Sequence, residues 1–199
     1  MSRGATARLF VAVDPPSEVC DELAAWTRAT AAGLGLRAGK SGRPPLRLLA
    51  AEALHLTLCF LGSRPVSEID TIAGALSSCS TPVGELSVGA PLWLPPRRPR
   101  ALAVEIHDDG GGLATLHAEV TRSIAAVSDW EPERRRFRAH VTLARLGTGF
   151  PWRGRDAEPQ LTTTPQLRFT PAAVVLYRSW LSPGGASYEP LVSRELAPG

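Results

Sequence analysis

Two short stretches, LHLTLCFLG at residues 54–62 and AHVTLARLG at 139–147, alternate apolar and polar positions around the same His-x-Thr core. Alternation of this kind marks a strand with one buried face, because successive side chains leave a strand on opposite sides. It sets Leu54, Leu56, Leu58 and Phe60 on one side of the first strand and His55, Thr57 and Cys59 on the other. In the second, Val141 and Leu143 lie behind His140 and Thr142. A chain holding two such strands must build sheet surface that is half core and half accessible, and each accessible half carries an imidazole beside a hydroxyl.

The surrounding pattern predicts the rest of the sheet and its helices. Arg8 to Asp14 (RLFVAVD) reads as an opening strand stopped by Pro15 and Pro16. A helix capped by Ser17 follows, with Val19, Leu23, Trp26 and Thr30 at helical spacing until Gly33 closes it. Further strands are predicted at 46–49, 54–61, 85–88, 101–106, 137–146 and 173–181. Helices are predicted at 67–78 and through Leu113, Leu116, Val120, Ile124 and Val127. Few strand-helix-strand crossovers are evident, so the expected class is α+β, bilobal, with two antiparallel β-sheets around a central cleft and helices on the outside. Both halves read as strand, helix and His-x-Thr strand, which suggests pseudo-twofold duplicated lobes. Facing lobes would bring together His55 and His140, which stand 85 positions apart in the sequence.

At 199 residues, residues 1–199 are read as a single bilobal domain. Its apolar runs near 9–13 and 172–177 are too short to span a bilayer, and no signal peptide is visible, so a cytoplasmic protein without membrane contact is expected. Cys20, Cys59 and Cys79 show no paired spacing, which argues for reduced thiols over disulfides or a zinc knuckle. The basic set is 21 Arg and one Lys; Arg forks suit phosphate, and a GC-rich genome would produce the same bias. GKSG at 39–42 lacks the earlier glycine of a phosphate-cradling P-loop. Arg134, Arg135, Arg136 and Arg138 form a run that reads either as a solvated face or as a guide for RNA. His107 and His117 read as surface or packing residues.

Two imidazoles in one cleft can divide the labour of general acid and general base near neutral pH, since the free group titrates near 6.5. A Thr two positions on points its hydroxyl the same way and can stabilise charge building on a phosphoryl oxygen. With 14 Thr in the chain one His-x-Thr match carries little weight, whereas two in apolar frames carry much more. The set suits in-line attack at phosphorus. A metal is not expected, because neither strand supplies a third ligand nearby.

HLTLCFLG and HVTLAR together resemble the paired motifs of the two-histidine phosphoesterases, and more closely the bacterial and archaeal RNA 2′,3′-cyclic phosphodiesterases once named 2′-5′ RNA ligases. RLFVAVDPP is similar to that family's opening strand and LYRSWLSPGGASYEPL to its closing strand and turn, so the resemblance runs almost end to end. It implies a bilobal α+β enzyme that needs no metal and acts on RNA or nucleotides that end in a 2′,3′-cyclic phosphate; no cofactor is expected, and the chain is expected to be a monomer, which the sequence itself does not determine. It implies His55 as proton donor, His140 as proton acceptor, Thr57 and Thr142 as phosphoryl-oxygen ligands, and Arg145 as the arginine closing the second motif. Strict alternation puts Arg145 on the face opposite His140, so its role requires a bulge or the strand's end there. Ala139 stands where relatives often carry Pro. Reversible 2′-5′ joining, and an RNA-binding module with merely structural histidines, remain the alternatives.

Overall fold

The computed structural model describes residues 5–36, 44–147, 150, 152, 159–182 and 185–197; GKSG and parts of the loop after Gly147 lie outside them. In chain order the elements are β1 (Thr6–Val13), α1 (Ser17–Gly33), β2 (Leu46–Leu48), β3 (Leu56–Pro65), α2 (Ile69–Ser77), β4 (Leu86–Leu94), β5 (Ala101–His107), α3 (Gly112–Val127), β6 (His140–Leu146), β7 (Arg168–Phe169), β8 (Ala173–Ser182) and β9 (Gly185–Glu195). Single 3-10 turns at Ala51–Ala53 and Val66–Glu68 precede β3 and α2.

The strands form one path, β7-β4-β5-β6-β3-β1-β8-β9, with β2 added to the free part of β6, and every recorded pairing is antiparallel. The two expected sheets are therefore fused. They meet at a single residue pair, Leu56 with Val141. Apart from that pair β3 and β6 diverge, and the seam opens into a groove.

One face of the sheet carries the core. Leu9, Val11 and Val13 of β1, Leu56 and Leu58 of β3, Val104 and Ile106 of β5 and Val141 and Leu143 of β6 are buried against Leu23 of α1, Ile72 and Leu76 of α2, and Leu113, Leu116, Val120 and Ile124 of α3. Because all three helices spend their apolar stripes on this face, the other face is left to line the groove. No helix among the described residues is long and apolar enough to cross a membrane.

Several local expectations change. Ser17 makes no capping hydrogen bond; Pro16 occupies the cap and its carbonyl accepts from the Cys20 amide at 3.1 Å. Gly35, at φ 59°, takes the left-handed position after α1 that Gly33 was expected to supply. β4 runs on to Leu94, and β9 and the two-residue β7 were not anticipated as strands. β9 escaped detection because it is the edge strand of the sheet and its described side chains are half-buried or exposed, so it shows no buried alternating face.

Candidate active site at the seam

β3 does not obey strict alternation. Its register with β1 jumps twice, so that Leu58 and Leu61 are extra residues. Gly62 (φ 72°) makes the second jump possible, in a backbone region that costs a residue with a Cβ. The first jump turns Cys59 into the core and Phe60 out into the groove: Cys59 is 8% exposed and Phe60 44%. Both were expected on the opposite faces.

β6 contains the bulge that Arg145 needs. Leu102 pairs with Ala144 and Ala103 with Thr142, leaving Leu143 as the extra residue. Paired residues of neighbouring antiparallel strands share a face. His140 opposite Glu105, Thr142 opposite Ala103 and Arg145 opposite Ala101 therefore all look into the groove. At the seam, the Leu56–Val141 pair sets His55 opposite Thr142 and Thr57 opposite His140. Diagonal neighbours of this kind lie about 7–8 Å apart in a regular ladder, somewhat less between Cβ atoms, a gap that two imidazoles can bridge around one phosphoryl group.

His55 is not itself in a strand. It sits between the 3-10 turn and β3, and its Nδ1–H donates to the Ala53 carbonyl at 2.9 Å. His140 makes the corresponding bond to the Arg138 carbonyl at 2.8 Å. A carbonyl can only accept, so each Nδ1 carries a proton and each Nε2 is the nitrogen left for chemistry. The Thr57 and Thr142 hydroxyls and the Arg145 guanidinium have no hydrogen-bond or ion-pair partner among the described residues.

A model of the 2′-5′ RNA ligase superfamily matches residues 15–180. The chain belongs to the 2′-5′ RNA ligase superfamily. It is 30% identical over 188 residues to an RNA 2′,3′-cyclic phosphodiesterase of Escherichia coli K12, covering 92% of this chain and 93% of that protein. It is 31% identical over 105 residues to an enzyme of the same name from Aeropyrum pernix, covering 51% and 58%. Among solved structures, E. coli LigT complexed with 3′-AMP superposes with TM-score 0.72 at 23% identity over 97% of this chain and 99% of that one. TT0787 of Thermus thermophilus gives 0.69 at 22% over 94% and 97%. At such identities the structural likeness establishes the fold, which is the α+β architecture expected from the two motifs.

In this superfamily member the two histidines occupy different surroundings. Phe10 lies beneath His55 with ring centroids 4.8 Å apart, and Tyr188 meets it edge-on at 4.9 Å. Tyr177 stacks on Phe10 at 5.1 Å. Burial in this aromatic bed is the main force lowering the His55 pKa to about 4; the Ala53 carbonyl opposes the shift, while Arg145 and His140 reinforce it. His55 is therefore neutral at pH 7. The influence of Arg145 and His140 on it places both within electrostatic reach of His55.

Phe10, Tyr177 and Tyr188 escaped sequence reasoning, although Phe10 stands in the opening strand on the same alternating face as Ala12. Asp14 escaped as well. It accepts a hydrogen bond from the Tyr177 hydroxyl, and burial pushes its carboxyl pKa up. Arg47, opposite Arg145 on β2, adds a second guanidinium-bearing residue to the groove face. Its signal was only the register, which no single sequence reveals. His107 at the end of β5 is exposed, and His117 stacks on Phe137 at 4.2 Å, so both remain outside the seam.

A group whose folded pKa lies below its unfolded value stabilises the fold at high pH when it is a carboxylate, and destabilises its own charged form when it is a buried imidazole; either way the fold loses stability as pH falls through the interval between the two values. For His55 the window runs from the unfolded 6.5 down to the folded value near 4. Urea unfolding at pH 7 and pH 4.5 should show wild type losing about 2–3 kcal/mol more than His55→Gln. Equal losses in the two proteins would mean that the imidazole is not desolvated.

Proposed function

We propose that the groove hydrolyses 2′,3′-cyclic phosphate ends of RNA or nucleotides to 2′-phosphomonoesters by general acid–base catalysis. The observation that carries this reading is the matched pair of imidazoles, each locked through Nδ1 on the carbonyl two residues before it, flanking a seam that also holds two hydroxyls and Arg145. The names of the E. coli and A. pernix relatives support it.

In this mechanism His140 Nε2 takes a proton from water as its oxygen bonds to phosphorus. The P–O3′ bond breaks opposite the attack, and His55 Nε2 delivers a proton to O3′, leaving a 2′-phosphate and a 3′-hydroxyl. Thr57 and Thr142 donate to the non-bridging oxygens as charge accumulates there, and Arg145 neutralises it. His55 reaches its charged form when the phosphodiester anion enters, because an opposite charge at close range favours the imidazolium. Every named group comes from one chain, so the reading needs no second copy. The three cysteines are free and buried, in keeping with a reducing cytoplasm.

Incubation of a dinucleotide bearing a 2′,3′-cyclic phosphate, in EDTA, followed by chromatography against 2′- and 3′-phosphate standards, tests reaction and bond choice together. The 2′-phosphate alone is expected. A 3′-phosphate product would reverse the assignment of the leaving oxygen, and an unchanged substrate would refute the activity.

A further inference from the structure

His55 and His140 each donate Nδ1–H to the carbonyl two residues back, yet the two rings are held in different ways. The Ala53 carbonyl belongs to a 3-10 turn, and the His55 ring is packed against Phe10 and Tyr188. His140 has no ring partner among the described residues, and Arg138, whose carbonyl accepts its bond, stands before β6 begins. On that side the ladder with β5 reaches Ala139, whose carbonyl accepts from the Ile106 amide at 3.0 Å.

Beyond the ladder, side chains hold the segment. Phe137 stacks on His117 at 4.2 Å. Arg138 Nη2 donates to Glu105 Oε1 at 3.1 Å, and its Nε donates to the same oxygen at 3.3 Å. Glu105 is the residue paired with His140 across the β5–β6 ladder, so its side chain leaves the sheet on the same face as the imidazole. The contacts close a ring: His140 to the Arg138 carbonyl, the Arg138 guanidinium to Glu105, and Glu105 back to His140 through the ladder. Arg134, Arg135 and Arg136 of the same run are exposed and have no ion pair or hydrogen bond among the described residues, which singles out Arg138. With the Arg138 side chain 51% exposed, the pair contributes little to stability, and its significance lies in what it positions.

We infer that Glu105 and Arg138 are positioning residues for the reaction, their ion pair aiming the Arg138 carbonyl at His140 Nδ1 and so keeping the His140 proton off Nε2. A neutral imidazole protonated on Nε2 cannot accept a proton there from water, and the hydrogen bond made by one ring nitrogen decides which of the two is protonated. The inference rests on the proposed phosphodiesterase reading for its effect on rate, and on the geometry alone for its effect on the ring.

Nitrogen-15 NMR of the imidazoles at pH 8 reads the tautomer directly. Wild type should show His140 as a single Nδ1–H form, whereas Glu105→Gln and Arg138→Met should each show a mixture with the Nε2–H form. On a 2′,3′-cyclic dinucleotide, Glu105→Gln should lower kcat about tenfold, keep KM within about twofold and shift Tm by no more than about 3 °C. Because both residues act through one contact, the double variant E105Q/R138M should lose no more than either single variant. Arg138→Lys, which keeps the charge, should lose less. An unchanged tautomer or an unchanged kcat in Glu105→Gln would overturn the clamp. So would losses that multiply in the double variant, or a raised KM, the mark of a side chain that contacts substrate. An inactive wild type whose tautomer still responds to both substitutions would instead overturn the phosphodiesterase reading, so the two failures are distinguishable.

Discussion

His140→Ala and His55→Ala will each lower kcat/KM on a 2′,3′-cyclic dinucleotide by about 10² to 10⁴, the range a single positioned proton-transfer group supplies. Both variants should fold. His140 is partly exposed on the groove face, and His55 donates only its Nδ1–H to a carbonyl of its own turn. Undiminished turnover in either variant would remove the acid–base pair from the mechanism.

The two roles can be assigned separately. A pH profile does not do it, because the enzyme form with one proton shared between the two imidazoles has the same pH dependence whichever ring holds it. Either assignment gives a bell for kcat/KM, with an acid limb near pH 4 set by His55. A cyclic phosphate with sulfur at the 3′ bridging position separates them, since a thiolate departs without a proton. His55→Ala should regain most of its lost rate on that substrate and His140→Ala should not. The opposite pattern would make His55 the base, a role its depressed pKa would also permit.

Arg145→Met is expected to lower kcat/KM by about 10² to 10³, comparable to removing one donor from a site where negative charge develops. Urea unfolding should show little change, because the guanidinium is exposed and has no partner among the described residues. The loss should be smaller for Arg145→Lys, which keeps the charge without the planar fork. Full activity of Arg145→Met would mean that the Leu143 bulge turns this side chain toward the groove without bringing it to the phosphate.

Local order in this protein is written in short-range pattern. Alternation around His55 and His140 called for two strands with a polar face and the spacing of Leu113, Leu116, Val120 and Ile124 called for a helix; all three elements are present, although β3 begins only after His55 and β6 only at His140. The two His-x-Thr motifs alone were enough to indicate the superfamily. The questions they left open were decided between strands. Sequence alternation assigns Phe60 to the core and Arg145 away from His140, because a period of two contains no information about where a ladder slips. Bulges at Leu58 and Leu143 arise from the fit of β3 to β1 and of β6 to β5, and each reverses the face of the residues after it. The fusion of the sheet through Leu56 and Val141, and the aromatic bed that desolvates His55, likewise depend on partners distant in sequence. The chain's own residues therefore determined which chemical groups the groove would hold, and the register of strands brought together by folding determined which of them face it and in what electrostatic setting.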